Sequence, residues 1–171
     1  DDVTDVTKWA IEEGYAQAGQ ICIYGGSYGG YAALAGAAFE PDLYQCAIGH
    51  VGVYDLEEMY KSGDIPEAKS GVRYLERVIG NDKENLRSRS PTNYAQRIKA
   101  GILLTAGLDD ERAPPVQTRL MSEALTRAGV NHIVKYEKRE GHGFFSEESE
   151  ANRLELVGDF ILRHVKTSNA R

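Results

Sequence analysis

Gly25-Gly26-Ser27-Tyr28-Gly29 sets a serine in the middle of a G-x-S-x-G run. A serine hydroxyl attacks a carbonyl only when a neighbouring base takes its proton, so the run gains meaning from what can reach it. Ile21-Cys22-Ile23-Tyr24 ahead of it is a short apolar run of strand type, and the Ala-rich stretch Tyr31 to Phe39 after it reads as a helix closed by Pro41. A serine on such a strand–turn–helix sits on a sharp elbow that lifts its hydroxyl above the sheet. The tightness of the turn requires very small residues two before and two after Ser27, and it aims the Tyr28 N–H toward a developing oxyanion.

Four histidines are available as the base. His164 falls near the C-terminus of the last predicted helix, where a cation is favourable for electrostatic reasons alone. His132 opens a strand, and His50 ends the second strand, where it is placed to line a site but comes too early in the chain. His142 stands between Gly141 and Gly143 just after the fourth strand, and it meets the order serine, acid, histidine expected of an α/β-hydrolase. The acid that orients the imidazole must come from the loop after Ile102–Thr105, where Asp109, Asp110 and Glu111 follow one another. Periodicity does not choose among the three, and an acidic turn before Pro114-Pro115 fits any of them.

The segment Gly25 to Tyr31 resembles the nucleophile segment of the prolyl oligopeptidase family of serine peptidases, which includes acylaminoacyl peptidases and dipeptidyl aminopeptidases. The resemblance covers nearly the whole chain. Gly107-Leu108-Asp109-Asp110-Glu111-Arg112-Ala113-Pro114 is similar to that family's G-x-x-D-x-R-V-P stretch, and Glu140-Gly141-His142-Gly143-Phe144 is similar to its E-G-H-G-F loop. This resemblance implies a triad of Ser27, Asp110 and His142, with the Tyr28 N–H in the oxyanion hole. It implies that Arg112 binds a substrate backbone carbonyl, against the alternative of a salt bridge to a neighbouring carboxylate. Ala113 replaces the family's usual Val near the pocket for the residue preceding the cut, so a preference for proline does not carry over. The implied reaction is hydrolysis of small peptides through an acyl-enzyme, without metal or organic cofactor. The alternatives are a carboxylesterase using the same triad, or an inactive fragment.

Strands are expected at Ile21–Tyr24, Cys46–Val51, Ile102–Thr105 and Ile133–Tyr136, with helices at Val3–Gly14, Val116–Ala128 and Glu148–Val165. Their alternation predicts an α/β fold with a mostly parallel sheet covered on both faces. The first helix shows an apolar stripe of Val3, Val6, Ala10 and Trp9, and the last shows Leu154, Val157, Ile161 and Val165. Thr167 to Arg171 reads as a frayed tail.

The chain has 171 residues and a formal net charge of −6, with scattered Lys and Arg, which argues against nucleic acid as a partner. No apolar run approaches the roughly 20 residues of a membrane span. Cys22 and Cys46 have no metal-binding spacing and read as small buried thiols, leaving the compartment open between cytoplasm and periplasm. The chain starts at Asp1 with no leader. It lacks the His-Gly-Gly run that supplies a second oxyanion donor in such hydrolases, and it shows no propeller repeats. Residues 1–171 are therefore expected to be the C-terminal portion of one α/β-hydrolase domain whose N-terminal strands are missing. The exposed edge of Ile21–Tyr24 is then expected to drive self-association.

Overall fold

The computed structural model describes residues 2–165. The chain runs α1 (Asp2–Glu12), β1 (Cys22–Gly26), α2 (Tyr28–Phe39) and β2 (Cys46–His50), then a long connection, then β3 (Gly101–Gly107), α5 (Pro115–Arg127), β4 (His132–Glu137) and α6 (Glu147–His164). The connection holds α3 (Lys69–Val78), α4 (Lys83–Arg89) and three short 3-10 turns, the last at Pro91–Arg97. The strands form one parallel sheet in the order β1-β2-β3-β4, which is the α/β architecture expected. The tail Thr167 to Arg171 lies outside the described residues.

Alternation along the central strands divides the core. Ala47, Ile102 and Leu104 face one side, where Ala33, Leu34, Ala37 and Ala38 of α2 pack with Met121, Ala124 and Leu125 of α5. Ile48 and Leu103 face the other side against Val157 and Phe160 of α6. The small side chains of α2 let that helix lie close on the sheet. β2 is buried along its whole length, and β3 nearly so, whereas β1 and β4 alternate as edge strands do.

Four details differ from the sequence reading. Cys22 and Cys46 are opposite one another in the β1–β2 register and are joined by a disulfide rather than standing as thiols. Each lies in its expected strand, but lateral pairing is invisible to a reading along the chain. The stripe of α1 does not face the core: Val3, Val6 and Trp9 are all at least half exposed, and Trp9 stacks at a tilt on Tyr15. In α6 the inward positions are Arg153, Val157 and Phe160, while Leu154 is exposed. Arg153 is admitted because its guanidinium pairs with Glu150 and donates to the Tyr24 hydroxyl. Finally, α2 begins at Tyr28 rather than Tyr31, so the helix starts directly at the serine.

Thiol titration of the chain denatured without reductant is expected to find no free thiol, because Cys22 and Cys46 are bridged. Two titratable thiols would refute it.

Candidate active site

Steric crowding shapes the elbow. A Cβ on Gly25 would fall 2.3 Å from the Gly29 carbonyl oxygen, so only glycine fits there. A Cβ on Gly29 would meet open space, and the tight position on the helical side is Gly30, 2.9 Å from the Gly52 Cα. The sequence rule about two flanking small residues thus holds before the serine and shifts by one after it. Ser27 itself takes φ 55° and ψ −119°, a left-handed conformation that costs a non-glycine residue on the order of 1–3 kcal/mol. Three backbone hydrogen bonds hold it: the Ser27 N–H donates to the His50 carbonyl at 2.9 Å, and the Gly30 and Tyr31 N–H groups donate to the Ser27 carbonyl.

The structure brings Ser27, His142 and Asp110 together from three loops. The Ser27 Oγ is 2.8 Å from His142 Nε2, and His142 Nδ1 is 3.0 Å from Asp110 Oδ2. The aspartate side chain is fully buried, while the histidine is 30% exposed, so the imidazole faces the solvent-accessible cleft and the carboxylate lies behind it. Asp110 Oδ1 accepts the backbone N–H groups of Arg112 and Ala113, each at 2.9 Å. Those two bonds fix the carboxylate plane. The imidazole bonds Asp110 and neither neighbour; Asp109 and Glu111 line the cleft beside Ser27 with His142.

Tyr28 is the first residue of α2, so no carbonyl lies one helical turn back to accept its N–H. That donor directly follows Ser27 in the chain, at the positive end of the helix dipole. The Arg112 guanidinium is 2.8 Å from Asp64 Oδ2, the salt bridge to a carboxylate that was the alternative expectation, and the residue lines the cavity in front of Ser27. The pair is half exposed and contributes at most about 1 kcal/mol to stability, so its effect is to aim the guanidinium. Ala113 also lines this cavity, which measures about 890 Å³ and is walled by Tyr31, Val53, Leu56, Tyr74 and Val78 among others.

The histidine loop is stapled at both ends. Glu140, buried, accepts the Ser146 hydroxyl at 2.6 Å and the Phe145 N–H at 2.7 Å. Those bonds, the Ser146 hydroxyl foremost, hold its carboxyl down at about 2. Because the folded value is depressed, the staple is in full force above the ordinary carboxylate range and is lost only as pH falls toward about 2. At the other end the Glu140 carbonyl accepts the Asp109 N–H at 3.0 Å. The end of β3 passes so close that a Cβ on Gly107 would sit 2.2 Å from that same carbonyl oxygen. Gly107 and Glu140 stood in the motifs, but only the fold shows what they do; Asp64 had no sequence signal. His50 does not line the cleft. It is buried behind it, with its ring against Phe144. His132 bonds Ser122 and the Val130 carbonyl, and His164 bonds the Phe160 carbonyl, so neither is near the serine. Among the described residues no group of three or more His, Cys, Asp and Glu side chains is placed to hold a metal ion, and no helix is long and apolar enough to cross a membrane.

Gly107→Ala is expected to push the histidine loop away and lower the rate of Ser27 labelling by a fluorophosphonate by about tenfold or more, with the chain still folded by circular dichroism. Labelling at the unsubstituted rate would show that the close approach does not matter.

The prolyl oligopeptidase family profile, Peptidase_S9, matches residues 1–168. The chain is 30% identical over 154 residues to dipeptidyl aminopeptidase BIII of Pseudoxanthomonas mexicana, a match that covers 87% of this chain and 22% of that protein. It is 25% identical over 156 residues to the acylamino-acid-releasing enzyme of Rattus norvegicus, covering 88% and 21%. Among solved structures, a puromycin-hydrolyzing peptidase of Mycobacterium tuberculosis superposes with a TM-score of 0.88 at 25% identity, covering 96% of this chain and 25% of that one. Pyrococcus horikoshii acylaminoacyl peptidase superposes with a TM-score of 0.86 at 28% identity, covering 99% and 28%. The chain spans about a fifth of the length of the curated relatives it matches. With the elbow, the acid loop and the histidine loop all in place, the chain belongs to the prolyl oligopeptidase family.

Proposed function

We propose that this chain supplies the nucleophile, base and acid of a serine peptidase that cleaves short peptides through an acyl-enzyme. The observation that carries this reading is the unbroken relay from Ser27 Oγ to His142 at 2.8 Å and on to Asp110 at 3.0 Å. Ser27 attacks the scissile carbonyl as His142 Nε2 takes its proton. The Tyr28 N–H donates to the oxyanion, and Asp110 holds Nδ1 protonated and stabilises the imidazolium. His142 then protonates the leaving amine, and a water activated by the same imidazole releases the acyl group. Arg112, aimed by Asp64, binds a backbone carbonyl of the substrate, and Ala113 leaves room in the cavity for the side chain preceding the cut.

Relatives named as dipeptidyl aminopeptidase and acylamino-acid-releasing enzyme support a peptide or peptide-like amide as substrate. The same triad also hydrolyses esters. We read residues 1–171 as the C-terminal portion of one hydrolase domain and β1 as a strand with an open side. Exposed Tyr24 on β1 and exposed Val3, Val6 and Trp9 on α1 support association of the isolated chain through that side. Absence of one oxyanion donor would slow the isolated chain by roughly 100- to 1000-fold.

Three measurements test these statements. A fluorophosphonate is expected to add one equivalent of mass to the protein and none to Ser27→Ala; equal labelling of both would refute the nucleophile. In the longest natural polypeptide carrying this chain, hydrolysis of a peptide anilide should be prominent and should vanish with Ser27→Ala, whereas turnover of a nitrophenyl ester alone would favour the carboxylesterase. Light scattering of the isolated chain should show dimers or larger species. A monomer with full peptidase turnover would overturn both the association and the loss of rate.

A further inference from the structure

His50 is a buried titratable side chain that the proposed reaction does not use. It stands where three parts of the site meet. Its backbone carbonyl accepts the Ser27 N–H at 2.9 Å. Its Nδ1 is 2.8 Å from Thr105 Oγ1, on the β3 segment that leads to the acid loop. Its ring meets Phe144, two residues after His142, edge to face at 4.9 Å between centroids. The Thr105 side chain has no exposed surface, and His50 is only 8% exposed, so neither side chain can trade these partners for water.

The backbone beyond it is held as firmly. Val51 adopts φ 43°, a left-handed conformation that a β-branched residue enters only when its surroundings impose it. Its N–H donates to the Thr105 carbonyl at 2.7 Å. His50 therefore cannot turn or slide without disturbing β3 and the elbow together.

We infer that His50 is a positioning residue, coupling the nucleophile elbow to the base loop so that Ser27 and His142 keep their hydrogen-bond distance. The inference rests on the triad proposed above. The carbonyl fixes the serine and the ring fixes Phe144, so one residue sets the separation of the two reacting groups. The ring performs this as a neutral imidazole. Burial first, and the Arg153 guanidinium second, hold it down at about 4, against the smaller opposing influence of Glu150 and Asp110. A neutral ring leaves the charge that develops on His142 uncontested.

The test uses the longest natural polypeptide carrying this chain and a peptide anilide. His50→Ala is expected to lower kcat by about tenfold or more while KM stays within about twofold, since misplacement of reacting groups acts on the transition state rather than on binding. Phe144→Ala should lower kcat in the same way, and the double variant should fall no further than the worse single one. His50→Gln retains a hydrogen-bonding side chain for Thr105 without the ring. It keeps the assay informative if alanine unfolds the protein, and its kcat should fall as well. A kcat within twofold of the parent for a folded His50→Gln or His50→Ala would overturn the inference, as would additive losses in the double variant. So would losses that disappear on cooling in step with the folded fraction. If Ser27→Ala retained activity, the triad reading itself would fail; activity abolished by Ser27→Ala but unmoved by His50 variants would sink only the positioning role.

Discussion

The site depends on the close approach of the end of β1 to the start of α2. With no side chain at Gly25, the backbone passes Gly29 at a distance that even a methyl group would forbid, and the chain turns from strand to helix within one residue. That residue, Ser27, is left in a conformation that isolated backbone disfavours. What keeps it there is lateral: β1 lies in register with β2, Gly26 beside His50, and β2 is buried throughout. The disulfide at Cys22–Cys46 ties the same two strands at their other end. Strain at the elbow is thus held by the most deeply packed strand of the sheet.

Parallel pairing explains why the rest of the site gathers there. All four strands run the same way and end together, so the loops after β1, β3 and β4 open on one edge, where ligands bind in open α/β sheets. Ser27, Asp110 and His142 each sit on a loop whose freedom has been removed. Asp110 is caught by two backbone N–H groups one turn before α5. His142 rides on a loop pinned by the Glu140 carboxylate to the start of α6 and by the Glu140 carbonyl to the Asp109 N–H. The three side chains lie in loops, and their placement comes from the elements on which those loops are fastened.

What could be read from the sequence divides along the same line. Signals that run along the chain were legible: the strand–turn–helix around Ser27, the glycines flanking His142, the alternation of apolar runs that gives the sheet. Choice among Asp109, Asp110 and Glu111 required a motif, because three adjacent carboxylates have the same periodicity in any register. Contacts between distant segments were not legible. Nothing in the run from Gly63 to Ile65 announces that Asp64 reaches Arg112, and nothing near Cys22 announces Cys46. Arg153 shows why burial patterns mislead as well: a charged side chain entered the covered face of α6 because Glu150 and Tyr24 meet it there, displacing the register that Leu154 suggested. Gln117 is a second case, buried because it receives the Tyr54 and Asp55 N–H groups.

The connection from β2 to β3 supplies most of the wall of the cavity in front of Ser27. Here the segment is broken into short helical pieces instead of one crossover helix, and the last of them, Pro91–Arg97, packs Ala95 into the core. Leu56, Ile65, Tyr74, Leu75 and Val78 from this segment wall the cavity in front of Ser27. Ser27, Asp110 and His142 are positioned by glycines, backbone bonds and the sheet. Arg112 follows the acid by two residues and its N–H helps to hold Asp110, yet its guanidinium points to Asp64 in the connecting segment. Its side chain joins the connecting segment, while its backbone donor to Asp110 stays in place whatever the side chain.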